Sequence, residues 1–343
     1  MKPILFITGS YPPEVCGVGD YLHKIMCSNI ALDNNWLLFY KRVWGIRYLF
    51  KYFREIRSIP VGDICLQYPT QGYGWSIVPH LLCLLCRIFL NRKFVVCLHE
   101  FSNSSFKSKI ASCVFLLFAS AVIFTTDYEK EYALKFFPFK RKKYFVIKIC
   151  SNILSSSKVK PYRERNIDLL YFGHIRPLKG IEEFLDIIRL FRLEHSSLRV
   201  LLMGQVPSEY NNYYSEVRSI CEKLEIELIL NKPEEEVASL LNNTKFALLP
   251  FPDGISERRG SFLACISNGV NVMTKRGKYS TAEIDKVVYY YDRTSDSAKS
   301  VKEIMDFSLE EYADKQKQGL RYISESIPKS WDNVSLNYLQ VIL

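Results

Sequence analysis

Two doubly wound, Rossmann-like α/β domains are what this sequence predicts, and two observations carry that prediction. Short apolar runs that do not alternate in polarity are separated by amphipathic segments of helix length, the pattern of buried parallel strands covered on both faces. The pattern also stops once, at a Ser-rich and then basic stretch broken by Pro161, and restarts beyond it. At 343 residues the chain is long for one domain and comfortable for two.

Before the break, strands are expected at ILFITG (4–9), WLLFY (36–40), DICLQYP (63–69), FVVCLHEF (94–101), AVIFTT (121–126) and YFVIKIC (144–150). A helix is expected over GVGDYLHKIMCSNIAL (17–32), where Tyr21, Leu22, Ile25 and Met26 fall at helical spacing. Further helices are expected at about 46–58, 77–90, 105–118 and 127–136. Residues 151–166, SNILSSSKVKPYRERN, read as the linker. Beyond it, strands are expected at 168–175, 198–204, 226–230, 246–251, 269–274 and 287–291. The helical stretches RPLKGIEEFLDIIRLF, YYSEVRSICEKL and EEEVASLLNN separate the first of these. The domains are therefore placed at 1–155 and 165–329. Ligands of open parallel sheets bind beyond the carboxyl ends of the strands, so the expected site is a cleft that the two domains face across.

Hydrophobic residues are 48% and charged residues 24% of the chain, which excludes a disordered, collagen-like or low-complexity protein. The formal charge of +10 is uneven. Through Arg165 there are 24 Lys and Arg against 10 Asp and Glu, and beyond it 22 against 26. Two halves of opposite sign suggest two electrostatic tasks. Ten cysteines lie mostly among Val, Leu, Ile and Phe, the usage of buried free thiols in a reducing compartment, so a cytoplasmic location is expected. Cys83-x-x-Cys86 has half of a zinc spacing without a second half, and it reads as a pair of core thiols; no metal site and no cofactor are expected. The N-terminus lacks the long apolar region of a signal peptide. Residues 77–90 are short for a membrane span, and 110–126 read as a buried helix running into a buried strand, so no transmembrane helix is expected.

Three motifs follow strands. In GSYPPEVCGVGDY, Gly17-Val18-Gly19 opens a helix, which suits either a tight turn or a loop that brings amides to a ligand. Leu22 stands where a dinucleotide fingerprint wants its third glycine, which argues against nicotinamide binding. In YFGHIRPLKGIEEF, Gly173 ends a strand, and Arg176 and Lys179 sit on the loop before a helix, a pairing suited to a diphosphate; the competing reading is a solvated basic loop. In LLPFPDGISERRGSFLACISNGVNVMT, Arg258 and Arg259 precede a helix that opens near Gly260 and Ser261, again an anion-binding arrangement. Glu257 beside them suits either a hydrogen bond to sugar or ribose hydroxyls or a pairing with an arginine. Of the five histidines, His23, His80 and His195 fall in or beside helices and read as core or surface residues, and His174 stays undecided.

In order along the chain, FITGSYPPEVCGVGDY, VVCLHEF, VIKICSNI, YFGHIRPLKG and LLPFPDGISERRGSFLACISNGVNV resemble the GT-B-fold glycosyltransferases of family 4, retaining enzymes that use nucleotide-sugar donors. The resemblance covers nearly the whole chain. It implies that Gly17, Val18 and Gly19 face acceptor and donor sugar, that His99 lies beside the donor sugar, and that Arg176 and Lys179 hold the donor diphosphate. It also implies that a final helix at about 330–343 packs back on the first domain. Most relatives carry two Glu eight positions apart; alignment on GVNV puts Ser256 and Ala264 there. The chain is instead similar to a subgroup whose loop reads DG-x-S-x-R-R-G-S. The donor grip then falls to Gly173, Arg176, Lys179, Ser256, Glu257, Arg258, Arg259, Gly260 and Ser261. No D-x-D occurs, so cations and helix N-termini are expected to neutralise the leaving nucleotide diphosphate without metal.

The function expected from these readings is transfer of a hexose-type sugar from a UDP- or GDP-linked donor to a glycan or polyprenyl-diphosphate-linked acceptor in surface polysaccharide synthesis. KRVWGIRYLFKYFREIR (41–57) and FPFKRKKYF (137–145) mix cations with aromatics, which suits the anionic inner face of a membrane; the competing reading is a solvated helix with an apolar core face. No nucleic-acid motif is present, and nucleic acid is not expected as a partner. Two rivals remain: a nucleotide-sugar epimerase of the same fold, which consumes donor without acceptor, and a degenerate GT-B protein acting as a scaffold or activator.

Overall fold

The computed structural model describes residues 3–14, 16–153, 155–156, 158–194, 197–291 and 297–343. Two compact units emerge: unit 1 is Met1–Ile149 with Pro328–Leu343, and unit 2 is Cys150–Ile327. The chain thus leaves the first unit at residue 149, six residues before the 155 read from composition.

Unit 1 begins β1 (Leu5–Thr8), α1 (Gly17–Met26), α2 (Asn29–Asp33), β2 (Leu37–Tyr40), α3 (Leu49–Ser58) and β3 (Ile64–Tyr68). It continues with α4 (Val78–Phe89), β4 (Phe94–Leu98), α5 (Phe106–Phe118), β5 (Ala121–Phe124), α6 (Asp127–Leu134) and β6 (Tyr144–Val146). The six strands pair in parallel in the order β2-β1-β3-β4-β5-β6. Every residue of β1, β3, β4 and β5 is buried, which is why these strands read as unbroken apolar runs. Each buried Leu, Ile or Phe contributes about 1.5–3 kcal/mol relative to exposure.

Unit 2 repeats the plan. Its elements are β7 (Ile167–His174), α7 (Ile181–Leu193), β8 (Val200–Gln205), α8 (Asn211–Lys223), β9 (Glu227–Leu230), α9 (Glu234–Asn242) and β10 (Thr244–Leu249). There follow α10 (Gly260–Ser267), β11 (Asn271–Thr274), α11 (Ala282–Val287), β12 (Val288–Tyr290), α12 (Ser297–Met305) and α13 (Leu309–Ser326). The strands are again all parallel, in the order β12-β11-β10-β7-β8-β9. At the amino edge of this sheet, buried Arg165 donates to the carbonyls of Lys160, Leu241, Thr244 and Asn268, the Thr244 bond being 2.6 Å long. One guanidinium thereby satisfies the last carbonyls of α9, the first of β10 and the turn after α10, groups that would otherwise be orphaned.

The last helix, α14 (Trp331–Ile342), belongs to unit 1. Tyr338 is fully buried there with its hydroxyl 3.1 Å from that of Tyr21, Asp332 accepts from Asn29, and Lys93 donates to the Ile342 carbonyl.

Two expectations are refined. The helix read over 17–32 breaks at Cys27–Ser28, because Ser28 caps α2: its Oγ accepts from the Ala31 amide at 3.2 Å and lies 2.8 Å from Ser335 Oγ. The segment 110–126 does run from helix to strand, but α5 is not buried throughout. It covers one face of the sheet as an outer layer, so Phe106, Ile110 and Phe118 stay exposed. Among the described residues no helix is long and apolar enough to cross a membrane.

Candidate active site

Both sheets have a point where the chain order reverses, and there the loops leaving two adjacent strands diverge and open a crevice. In unit 2 that point lies between β7 and β10. Gly180, the N-cap of α7, is left-handed at φ +82°. A Cβ on it would stand 2.0 Å from the Pro250 carbonyl oxygen, so only glycine lets the β7 loop lie against the end of β10. Tyr171 Oη donates to the Lys179 carbonyl at 3.1 Å and fixes the loop from below. Leu178, at the same loop, holds φ +62° with its side chain exposed.

The loop after β10 is clamped as firmly. Gly254, at φ +82°, packs on Gly277; the Ile255 amide donates to the Lys275 carbonyl at 3.0 Å, and Ser280 Oγ donates back to the Ile255 carbonyl. These contacts bring Arg176 and Lys179 from one loop together with Arg259 from the other. Burial, then the Arg176 and Arg259 guanidinium groups, lower the Lys179 pKa, and Asp253 opposes them. Arg259 pairs with Asp253, stacks 4.7 Å over the Phe251 ring, and has a buried Nε without a hydrogen-bond partner among the described residues. Three cations against one carboxylate is an arrangement that a diphosphate completes.

The two helix N-termini at this point differ. The first turn of α7 already carries Glu182, bonded by Tyr213 Oη at 2.6 Å, and Glu183, held by Lys275 and by Tyr291 Oη. The first turn of α10 carries no acidic residue and no side-chain cap, and its first residues are Gly260 and Ser261. Of the two, the end left open to an anion is that of α10.

The other sequence-predicted residues of unit 2 are placed as follows. Gly173 is the last residue but one of β7, where its carbonyl lies so close to Gly204 that a Cβ on Gly204 would meet it at 1.8 Å. Arg258 lies 5.5 Å over the Tyr279 ring. Ser256 is buried, its carbonyl accepting from the Arg259 amide. Glu257 is buried too, and its Oε1 accepts from Tyr322 Oη of α13 at 3.1 Å.

In unit 1 the reversal lies between β1 and β3. Gly9 and Gly72 nearly touch there: a Cβ on Gly72 would be 1.6 Å from the Gly9 carbonyl oxygen, and the Gly72 amide donates to Ser10 Oγ at 2.7 Å. Gly17, Val18 and Gly19 form the first turn of α1, with Gly17 exposed, Val18 half-buried and Gly19 pressed against the Ser10 carbonyl. His99 follows β4 and is buried, with Nε2 3.0 Å from Gln67 Oε1 and its ring edge-on to Tyr21 at 5.0 Å. The Gln67 oxygen only accepts, so Nε2 is the protonated nitrogen. Beside the crossing a cavity of about 510 Å³ is lined by Arg42, Trp44, Tyr73, Trp75 and Ile77 among others.

Gln67 and Glu129 were not anticipated. Glu129 is fully buried on α6 and accepts from the Ser102 amide and hydroxyl at 2.8 and 2.7 Å, holding the loop that follows His99. A glutamine inside the apolar run DICLQYP was the available signal for the first. Of the other histidines, His80 is buried between Tyr68 and Phe115, where burial lowers its pKa to about 4. His23 lies 3.0 Å from Tyr11 Oη, His174 is exposed at the end of β7, and His195 lies outside the described residues. Cys83 and Cys86 are both buried in α4, with pKa values pushed up to about 12 by burial.

Solved structures match this chain over nearly its full length. A glycosyltransferase from Rickettsia africae superposes with a TM-score of 0.72 at 13% identity, covering 99% of this chain and 98% of that one. Sucrose-phosphate synthase from Thermosynechococcus elongatus gives 0.69 at 13% identity, with 99% and 98% covered. HepE from Anabaena, in complex with UDP and glucose, gives 0.66 at 14% identity with the same coverage. The fold is that of the GT-B glycosyltransferases. No family and no curated protein matches at the level of sequence.

Proposed function

We propose that this protein is a retaining glycosyltransferase that moves a hexose-type sugar from a nucleotide-sugar donor to a glycan or polyprenyl-diphosphate-linked acceptor, without a metal ion. The observation that carries the reading is the meeting of Arg176, Lys179 and Arg259 beside the uncapped N-terminus of α10 at the switch point of unit 2. When the bond from the sugar C1 to the diphosphate breaks, its electron pair leaves with the diphosphate, and three cations and a helix N-terminus stabilise that charge as it develops. The Anabaena relative bound to UDP and glucose supports UDP as the first nucleotide to try.

The remaining roles follow the same reading. Arg258, Gly260 and Ser261 complete the diphosphate grip, Gly173 allows its approach, and Ser256 and Glu257 shape the floor. His99 faces the donor sugar, with Gln67 fixing its tautomer. Gly17, Val18 and Gly19 form the acceptor-side loop, with the aromatic cavity around Trp44 and Trp75 beside it. The basic unit 1 is proposed to rest on the anionic inner face of a membrane, in a cytoplasmic enzyme of surface polysaccharide synthesis.

The test is turnover of UDP- and GDP-hexoses, read as released nucleotide diphosphate, with and without lipid-linked glycan acceptors. A transferase releases diphosphate only with acceptor present, and Arg176→Ala abolishes that release. Release without acceptor identifies the hydrolysing epimerase. Nucleotide binding with no turnover on any acceptor identifies the scaffold.

A further inference from the structure

At the amino edge of the unit 1 sheet, at the other end of its strands from the switch point of that sheet, a second cavity of about 360 Å³ opens. Four cations line it: Arg87 from the end of α4, Lys93 just before β4, and Lys142 and Lys143 just before β6. Ser120 and Ala121 at the start of β5 form part of its wall, and no carboxylate lines it.

Helix C-termini cluster at this edge of a parallel sheet, so part of the positive charge has a local task. Arg92 is fully engaged in it, donating to the carbonyls of Ile56, Arg57 and Ile59, and Lys140 donates to Leu117. The cavity cations are different. Arg87 donates to the Phe118 carbonyl, and Lys93 to the Ile342 carbonyl and a main-chain oxygen of Leu343, in the bonds described. Lys142 and Lys143 have neither a hydrogen bond nor an ion pair with any described residue. Four like charges around one opening repel each other unless an anion sits among them.

Large apolar side chains stand uncovered on the segments that carry or contact the lining residues. Ile88 and Phe89, which follow Arg87, are 70% and 65% exposed; Phe118, which accepts from Arg87, is 52% exposed; Phe139, on the same turn as Lys142, is 71% exposed. Large side chains left in water around a cationic opening make an interaction surface rather than a folding error. Unit 1 as a whole carries 21 Lys and Arg against 10 Asp and Glu, a net +11, whereas unit 2 carries 25 against 26.

We infer that this cavity is an anion site that takes the phosphate of an anionic phospholipid headgroup, with Ile88, Phe89, Phe118 and Phe139 entering the interfacial layer around it. The amino edge of the unit 1 sheet is then the face that meets the bilayer. The inference rests on the reading of an anionic membrane as partner and not on the donor chemistry, which is measured separately.

The experiment is co-sedimentation of the full chain with phosphatidylcholine vesicles, with and without phosphatidylglycerol, at low salt. A Lys142→Ala/Lys143→Ala variant is compared with Lys107→Ala/Lys130→Ala, which removes the same charge from sites outside both basic, aromatic segments, near the N-termini of α5 and α6. Each cation near an anionic surface is worth about a factor of 5, so the cavity variant loses about 30-fold in partitioning while the control stays well above it. Equal losses in the two variants, or no preference of the wild type for phosphatidylglycerol, overturn the inference. So does inorganic phosphate stabilising the wild type but not the cavity variant while vesicles bind neither, since the site then serves a soluble anion. UDP-dependent thermal stabilisation of the same proteins reports on the donor site. Its survival in a wild type that ignores vesicles sinks this inference alone, and its absence in a wild type that binds them sinks the transferase alone.

Discussion

A Cβ on Gly180 would lie 2.0 Å from the carbonyl oxygen of Pro250. This single contact joins the two loops that bring the cations of unit 2 together, and it exists because Gly180 is left-handed. Gly180→Ala is predicted to lower unfolding free energy by at least about 2 kcal/mol, from the left-handed penalty and the clash together. Urea unfolding with an unchanged slope checks it. The same variant should lose nucleotide affinity beyond what its lower stability explains, measured by calorimetry well below its midpoint.

Lys179 gives a pH signature. Its pKa is lowered from the ordinary 10.5 by burial and then by Arg176 and Arg259. The folded state therefore disfavours its ammonium, and that unfavourable contribution is relieved as pH rises through the lowered pKa. Diphosphate binding needs the ammonium and runs the other way. Affinity for UDP is predicted to fall with rising pH before the ordinary lysine range is reached. Lys179→Arg should remove that alkaline fall, since a guanidinium stays charged there.

Arg165 holds unit 2 together from the opposite edge of its sheet. Replacing it by Met leaves the Thr244, Asn268 and Leu241 carbonyls without their donor. At about 1–3 kcal/mol for each buried group left unsatisfied, a loss of about 3 kcal/mol or more is expected in chemical unfolding. A loss below about 1 kcal/mol would mean that water replaces the guanidinium.

The thiols offer a check on burial. Cys27 is the one cysteine of the ten that is exposed, and Cys113 is half-buried. Burial pushes Cys83, Cys86, Cys97 and Cys221 up to about 12 and raises Cys65 and Cys265 as well. Reaction of the native protein with a thiol reagent at neutral pH is predicted to show one fast equivalent, removed by Cys27→Ser, and ten on unfolding.

Much of this fold was legible because buried parallel strands announce themselves as apolar runs. Ten of the twelve strands lie within two residues of the runs read from the sequence at both ends, and β4 and β6 stop three and four residues short of theirs. Of the helices in the last sixty residues, the final one was expected at about 330–343 and α14 lies there, whereas α12 and α13 did not announce themselves. In α13 only Tyr312, Gly319 and Tyr322 are buried, too few to make an apolar stripe, and a glycine sits in its middle. Because α13 was not anticipated, neither was the hydroxyl of Tyr322 on Glu257. The loops carrying Arg176, Lys179 and Arg259 were legible because each follows a strand. That Gly180 and Pro250 bring them together was not, because contacts between loops far apart in sequence leave no local pattern.

The most direct measurement is thermal stabilisation of the purified protein by a panel of nucleotide diphosphates and nucleotide sugars. A ligand at 100 times its dissociation constant adds about 2.7 kcal/mol to the folded state, enough for a clear rise in midpoint. The account predicts a rise with one nucleotide family, UDP first, that is absent in Arg176→Ala and in Lys179→Ala. No rise across the whole panel, or a rise that both variants retain, would contradict it.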